Sequence, residues 1–271
     1  MIPTAVGLLA VRSRGFGPPA VLWHSLFVDD RSWDRVASRI DAARRLIFIT
    51  GPGHGSSGDP GPRYTLGDCA AAAATVLDVL GVTEPVDWLG NAWGGSVGLV
   101  FAANFPERCR TLATLGTPVQ ALSLVERART LALLAVYRLR GNSRVVEAGV
   151  LNVLLSANTL AHDQPAVDLV KEDLAHADRR ALRNAVVSIS LRRPDLTGPL
   201  REVRVPTLFI TGSEHTGWTP EQAGAASRLL ADGTSMVVAD AAYLVPLEAA
   251  AETATVISEF WAANESRSPS L

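Results

Sequence analysis

The feature that most constrains the fold is a repeated alternation. Short apolar runs of four residues or so, bounded by turn-forming residues, are separated by stretches of helical length. Ala20–Trp23, Leu46–Ile49, Val86–Leu89, Leu112–Leu115, Thr207–Ile210 and Met236–Ala239 read as buried strands. Ser32–Ile40, Leu66–Leu80, Gly95–Phe105, Pro220–Leu230 and Leu247–Trp261 read as the helices between them. Continuous apolar strands spaced by helices predict an α/β fold: a mostly parallel, doubly wound sheet covered on both faces. The start, Met1 to Arg14, lacks a basic leader segment and reads as a first strand. The alternation breaks between Val119 and Leu200, where the chain looks wholly helical, with Gly141-Asn142-Ser143 as a turn and Arg193-Pro194 closing the last helix. A helical block inserted there reads as a lid over the strand C-termini, where ligands bind in such sheets. The expected division is a core of residues 1–118 and 199–271 and a helical cap of 119–198. The polar end, Asn264–Leu271, reads as frayed.

At 271 residues and 48% hydrophobic, the chain can bury a core without disulfide or metal staples. Cys69 and Cys109 read as buried thiols. A net charge of −2 gives no field for nucleic acid, and no apolar run reaches the ~20 residues of a membrane helix. The expectation is a cytoplasmic protein without nucleic-acid or membrane partners. Its histidines and cysteines lack metal-ligand spacing, and the Gly51–Gly55 loop lacks a phosphate-loop lysine, so no cofactor is expected.

The chemistry-bearing segment is Trp88-Leu89-Gly90-Asn91-Ala92-Trp93-Gly94-Gly95, a strand end turning into a helix start. It resembles the G-x-S-x-G nucleophile elbow of the α/β-hydrolase superfamily, of the cap-bearing esterase and lactonase kind. Ala92 stands where that pattern has its serine. Ser96 also sits in a G-x-S-x-G string, but one turn inside the expected helix, where small-residue packing explains it. The resemblance extends along most of the chain. His24-Ser25-Leu26-Phe27 matches the oxyanion-hole loop, and Gly51-Pro52-Gly53-His54-Gly55-Ser56-Ser57 matches a P-G-x-G-x-S loop. Gly212-Ser213-Glu214-His215 matches the segment delivering the acid. Tyr243-Leu244-Val245-Pro246-Leu247-Glu248 matches the H-x-x-P-x-E segment of the catalytic histidine.

What the resemblance implies is a Ser–Asp–His arrangement whose three positions read Ala92, His215 and Tyr243. A phenol with a pKa near ~10 is a poor base at neutral pH, and loss of the nucleophile or its base costs on the order of 10⁶ in turnover. Backbone donors need no particular side chain, so an oxyanion hole from Leu26 and Trp93 is expected to persist. His24, Ser25, Phe27 and Trp218 are expected to line the substrate pocket, and Asp29 and Asp30 to start a helix. The leading expectation is an enzyme, cofactor-free, that acts non-hydrolytically on a hydrophobic small molecule by cyclisation, rearrangement or lyase chemistry. Two alternatives stay open. One is a serine-type ester or lactone hydrolase represented by a Ser-to-Ala variant, with its acid or base at Glu214 or Asp240. The other is a non-catalytic ligand-binding pseudohydrolase.

Overall fold

The computed structural model describes residues 1–265. Its elements run in the order β1 (Ile2–Thr4), β2 (Gly7–Arg14), β3 (Pro19–Trp23), α1 (Asp34–Ile40), β4 (Arg45–Thr50), α2 (Leu66–Val79), β5 (Val86–Asn91), α3 (Trp93–Asn104) and β6 (Cys109–Leu115). A helical insertion follows: α4 (Leu124–Arg140), α5 (Arg144–Leu154), α6 (Ala157–His162), α7 (Gln164–His176), α8 (Arg179–Ala185), a π-helical turn (Val186–Leu191) and α9 (Thr197–Glu202). The core resumes with β7 (Thr207–Gly212), α10 (Pro220–Ser227), β8 (Gly233–Val238), α11 (Val245–Glu248) and α12 (Ala250–Asn264).

Eight strands form one sheet in the order β1-β2-β4-β3-β5-β6-β7-β8. From β4 to β8 every pairing is parallel; β2 joins β4 antiparallel, with Val11 opposite Ile49. The N-terminal stretch read as one strand is a hairpin, because Thr4 and Gly7 close a turn between β1 and β2. The central strands show why both faces are buried. Val21, Trp23, Ile47, Ile49 and Trp88 pack with α2 and α3, while their neighbours Ala20, Leu22, Leu46, Phe48 and Leu89 pack with α1 and α12. The last strand differs from its expected burial. β8 is the sheet edge, and Met236 and Val237 stay exposed at 40% and 44%. Of the expected frayed tail, Asn264 ends α12, and residues 266–271 lie outside the described residues.

Helix starts follow local sequence rules. Thr65 with Asp68, Ser123 with Glu126, and Thr219 with Gln222 form capping boxes on α2, α4 and α10. Asp29 caps the short turn at Asp30–Trp33 by accepting from the Arg31 N–H.

The insertion folds over the C-terminal ends of the strands. Val146, Val150, Leu154, Val170, Leu174 and Leu182 form its own cluster, which takes in Val28, Leu244 and Leu247 from the core. Polar ties fix it at its underside. The Leu244 N–H donates to the Leu154 carbonyl at 3.1 Å. The Ser156 N–H donates to Glu248 Oε2 at 2.6 Å, and the Ala157 N–H to Glu214 Oε2 at 3.1 Å. Arg35 holds Asp163, and Asp173 accepts from the Asp29 N–H at 2.9 Å.

Candidate functional site

The turn from β5 into α3 is sharp because three glycines permit it. A Cβ on Gly90 would meet the Gly94 carbonyl, one on Gly94 the Trp23 carbonyl, and one on Gly95 the Thr117 side chain. At the corner stands Ala92, with φ 49° and ψ −99°. A residue with a Cβ held there carries about 1–3 kcal/mol of backbone strain. The corner is pinned by the Ala92 N–H, which donates to the Leu115 carbonyl at 2.7 Å. Asn91 Nδ2 donates to the carbonyls of Leu115 at 2.9 Å and Tyr243 at 3.0 Å. Ser96 lies within α3, buried, one turn past the corner.

Three further loops converge on this corner. Gly116, after β6, adopts φ +55°; a Cβ there would sit 2.8 Å from the Tyr243 carbonyl and 3.3 Å from His215 Cδ2. Its missing side chain therefore lets His215, after β7, and Tyr243, after β8, come together. Their rings lie 4.8 Å apart, inclined by 38°. The Gly217 N–H donates to His215 Nδ1 at 3.1 Å, so the ring's proton sits on Nε2. That Nε2 is buried beside the Gly116 backbone without a completed hydrogen bond. Burial holds the His215 imidazole neutral, pulling its pKa down to about 4. Burial pushes the Tyr243 phenol up, opposed by the charge of Arg193 and by the Ser25 hydroxyl beside it. Tyr243 is therefore a protonated hydrogen-bond donor at neutral pH.

On the opposite side, the loop after β3 packs on Trp93. Trp93 opens α3, so its N–H has no intrahelical acceptor, and the Leu26 N–H enters none of the described backbone bonds. The next amide, of Phe27, is occupied: it donates to His54 Nε2 at 3.2 Å, from a Phe27 backbone at φ 70°.

Two residues expected in the pocket are elsewhere. His24 is fully buried with both nitrogens committed: Nε2 accepts from the Gly51 N–H at 2.8 Å, and Nδ1 donates to the Ser25 carbonyl at 2.6 Å. It braces the loop, its ring among those of His54 and Trp93. Trp218 faces the core and packs on Phe209, because the Thr211 hydroxyl anchors its carbonyl at 2.7 Å. Phe27 stands between two clefts. One, of only about 20 Å³, is apolar and lies within the insertion, walled by Leu133, Leu134, Leu174 and Leu182. The other, of about 230 Å³, has a mixed lining that includes Asp29, Arg31, His54 and Asp173. Burial and the Asp29 carboxylate push Asp173 up to about 6. Glu214 and Asp240 are both exposed, and Glu214 is engaged by the insertion, so neither reaches the corner as an acid or base.

A family model described as the alpha/beta hydrolase fold matches residues 21–214. The chain belongs to the α/β-hydrolase fold family. Among solved structures, this α/β-hydrolase chain is similar to a thermophilic esterase from Thermogutta terrifontis (TM-score 0.87, 22% identity, 94% of this chain and 93% of that one). It is likewise similar to an enol-lactonase from Burkholderia xenovorans LB400 (TM-score 0.84, 21% identity, 94% and 96%). At those identities the likeness is one of fold. A 2-hydroxy-6-oxo-2,4-heptadienoate hydrolase of Pseudomonas putida is 33% identical over 103 residues, 38% of this chain and 34% of that protein. An uncharacterized protein of Mycobacterium tuberculosis is 28% identical over 173 residues, 61% of this chain and 50% of the relative. The matches thus span half or less of these curated relatives.

Arg193 and Asn91 were not singled out by sequence reasoning. Asn91 lay inside the elbow motif, but nothing in a sequence says that its amide bridges β6 and the Tyr243 loop. Arg193 was read only as the residue before a helix-ending proline.

Proposed function

We propose that this α/β-hydrolase-fold chain is an enzyme that activates a carbonyl of a hydrophobic small molecule and forms no acyl-enzyme. The Leu26 and Trp93 N–H groups receive the carbonyl oxygen. Tyr243 donates a further hydrogen bond as charge develops there, and His215 orients that phenol. Cyclisation, rearrangement or carbon–carbon cleavage all proceed through such an oxyanion or enolate. The observation that carries this reading is the strained corner at Ala92: the backbone still adopts φ 49° although no nucleophilic atom remains there. The test is turnover of a panel of enol lactones, β-diketones and vinylogous acids. Tyr243→Phe and His215→Ala are each expected to lower kcat about 10²-fold or more. Full activity in both variants would overturn the assignment.

A second reading is hydrolysis, and the relatives favour it, being named as hydrolases, an esterase and a lactonase. It requires either a water attacking the polarised carbonyl directly or a serine at position 92. A carrier without turnover would instead bind ligand equally well as Tyr243→Phe. Exposed Leu124, Val125 and Leu139 along α4 favour an additional interaction role for the cap.

A further inference from the structure

The helix α4 opens the insertion and is apolar on two sides. At about 100° per residue, Leu133, Leu134 and Tyr137 share one side, and they pack on the insertion's own cluster. The opposite side faces outward. Leu124, Ala128, Leu131, Ala135 and Leu139 recur there at intervals of three or four residues, with Val125 beside them. Leu124 is 85% exposed and Leu139 83%, and Val125 and Leu131 are exposed as well. The stripe takes up about a third of the helix circumference and runs for about 25 Å. A helix apolar on both sides belongs in an interior, yet no described residue covers this outer side.

Arginines edge the stripe along both borders. Arg127 and Arg138 lie along one, Arg129 and Arg140 along the other, and all four are exposed. None of them enters an ion pair among the described residues; the insertion's pairs run through Asp163, Lys171, Glu172, Asp173 and Arg180 instead. The one acid of the helix, Glu126, is committed to its cap, accepting from the Ser123 N–H at 2.8 Å and the Ser123 hydroxyl at 2.7 Å. A chain of net charge −2 therefore carries four cations against one anion on this helix. The expectation of no membrane partner rested on that net charge and on the lack of a spanning segment, and neither describes one face of one helix.

We propose that α4 docks the protein on an anionic lipid surface, with the leucines in the acyl boundary and the arginines on the headgroup phosphates. No described helix is long and apolar enough to cross a membrane, so the helix lies along the surface. Arginine stems cover apolar surface while their guanidinium groups reach outward, which suits arginines on both borders of an embedded stripe. A second copy of the chain fits less well. Both borders are basic, so pairing two α4 helices in either direction sets arginine against arginine with no free carboxylate on the helix to answer. The proposal does not rest on the reaction proposed above.

Co-sedimentation at low salt with large unilamellar vesicles tests it, using phosphatidylcholine alone and phosphatidylcholine with about one third phosphatidylglycerol. Binding is expected to be at least about 10-fold tighter on the anionic vesicles and to weaken as salt rises. Arg129→Gln with Arg138→Gln, one from each border, is expected to weaken it about 10-fold or more. Leu124→Ser with Leu139→Ser is expected to do the same. These side chains are exposed, so both variants should melt like the parent. Equal binding to the two vesicle types, no binding to either, or arginine variants that bind like the parent would overturn the proposal. Sedimentation velocity without lipid tests the other occupant. A dimer that Leu124→Ser with Leu139→Ser dissociates would assign the stripe to a second copy and overturn the lipid assignment. Any of these failures leaves the carbonyl-binding reading intact, because that reading rests on the corner at Ala92 and not on the outer side of α4.

Discussion

Asp87→Asn is expected to destabilise the protein by about 3–5 kcal/mol, the loss found when one partner of a buried ion pair is removed. Asp87 lies at the start of β5, with only 1% of its side chain exposed. Arg44 Nε donates to it at 2.8 Å, Arg110 Nε at 2.9 Å, and the Thr111 hydroxyl at 2.7 Å. Arg110 adds a second, shorter contact through Nη2. Arg44 is itself buried and stacked over the Trp261 ring at 4.6 Å. An amide in place of the carboxylate would leave that guanidinium enclosed with its charge unmet on this side. The cluster sits at the N-terminal end of the strands, opposite Ala92, so the loss should appear in stability and not in ligand binding. Urea unfolding midpoints of parent and variant measure it. A change below about 1 kcal/mol would show that solvent or relaxation compensates the arginines. Replacing Asp87, Arg44 and Arg110 together by apolar residues should recover part of the loss, because no buried charge then remains.

The second large effect is loss of stability in acid, carried by three buried neutral histidines. Burial lowers His24; burial and the neighbouring His24 charge lower His54 to about 3; burial lowers His215 to about 4. In each ring one nitrogen already accepts from a backbone N–H: Gly51 for His24, Phe27 for His54, Gly217 for His215. Protonation would set N–H against N–H. The folded values lie below the unfolded value of about 6.5, so protons prefer the unfolded chain. Stability from these rings is therefore complete above about pH 6.5 and is lost as pH falls towards about 4. At about 1.4 kcal/mol per pKa unit, His215 alone accounts for about 3 kcal/mol. Asp173 works in the opposite sense. Its raised value favours the folded state below the ordinary carboxylate range, and that contribution fades as pH rises through about 6. Variants separate the two. In melts from pH 8 to 4, His215→Gln should flatten the acid limb and Asp173→Asn should steepen it. An acid limb unchanged by His215→Gln would contradict the neutral, proton-excluding ring.

Much of this architecture was legible in the residues. Buried parallel strands announce themselves as apolar runs, and Gly90, Gly94 and Gly95 mark the corner because nothing larger fits against Trp23, Thr117 and the turn itself. Tyr243 and His215 were traceable through the motifs around them, though only Gly116, from a different strand, explains their contact. Other features depend on contacts between distant segments. His24 looked like a pocket residue until its partners, Gly51 and Ser25, showed a brace. Trp218 looked like a wall of the site, and Phe209 takes it into the core. The exposure of β8 follows from its place at the sheet edge, which its apolar sequence does not reveal. Arg193 carries no local signal at all: only folding brings its Nη2 to the Gln120 carbonyl, on the far side of the insertion in sequence.

The proposed function requires that no acyl-enzyme forms at this site. Fluorophosphonate labelling and activated-ester turnover, measured on the parent and on Ala92→Ser with both confirmed folded, test it most directly. The account predicts background labelling and turnover in both, since a serine facing Tyr243 and a neutral His215 has no competent base. Stoichiometric labelling of Ala92→Ser with rapid ester turnover would show that an intact proton relay survives and would contradict it.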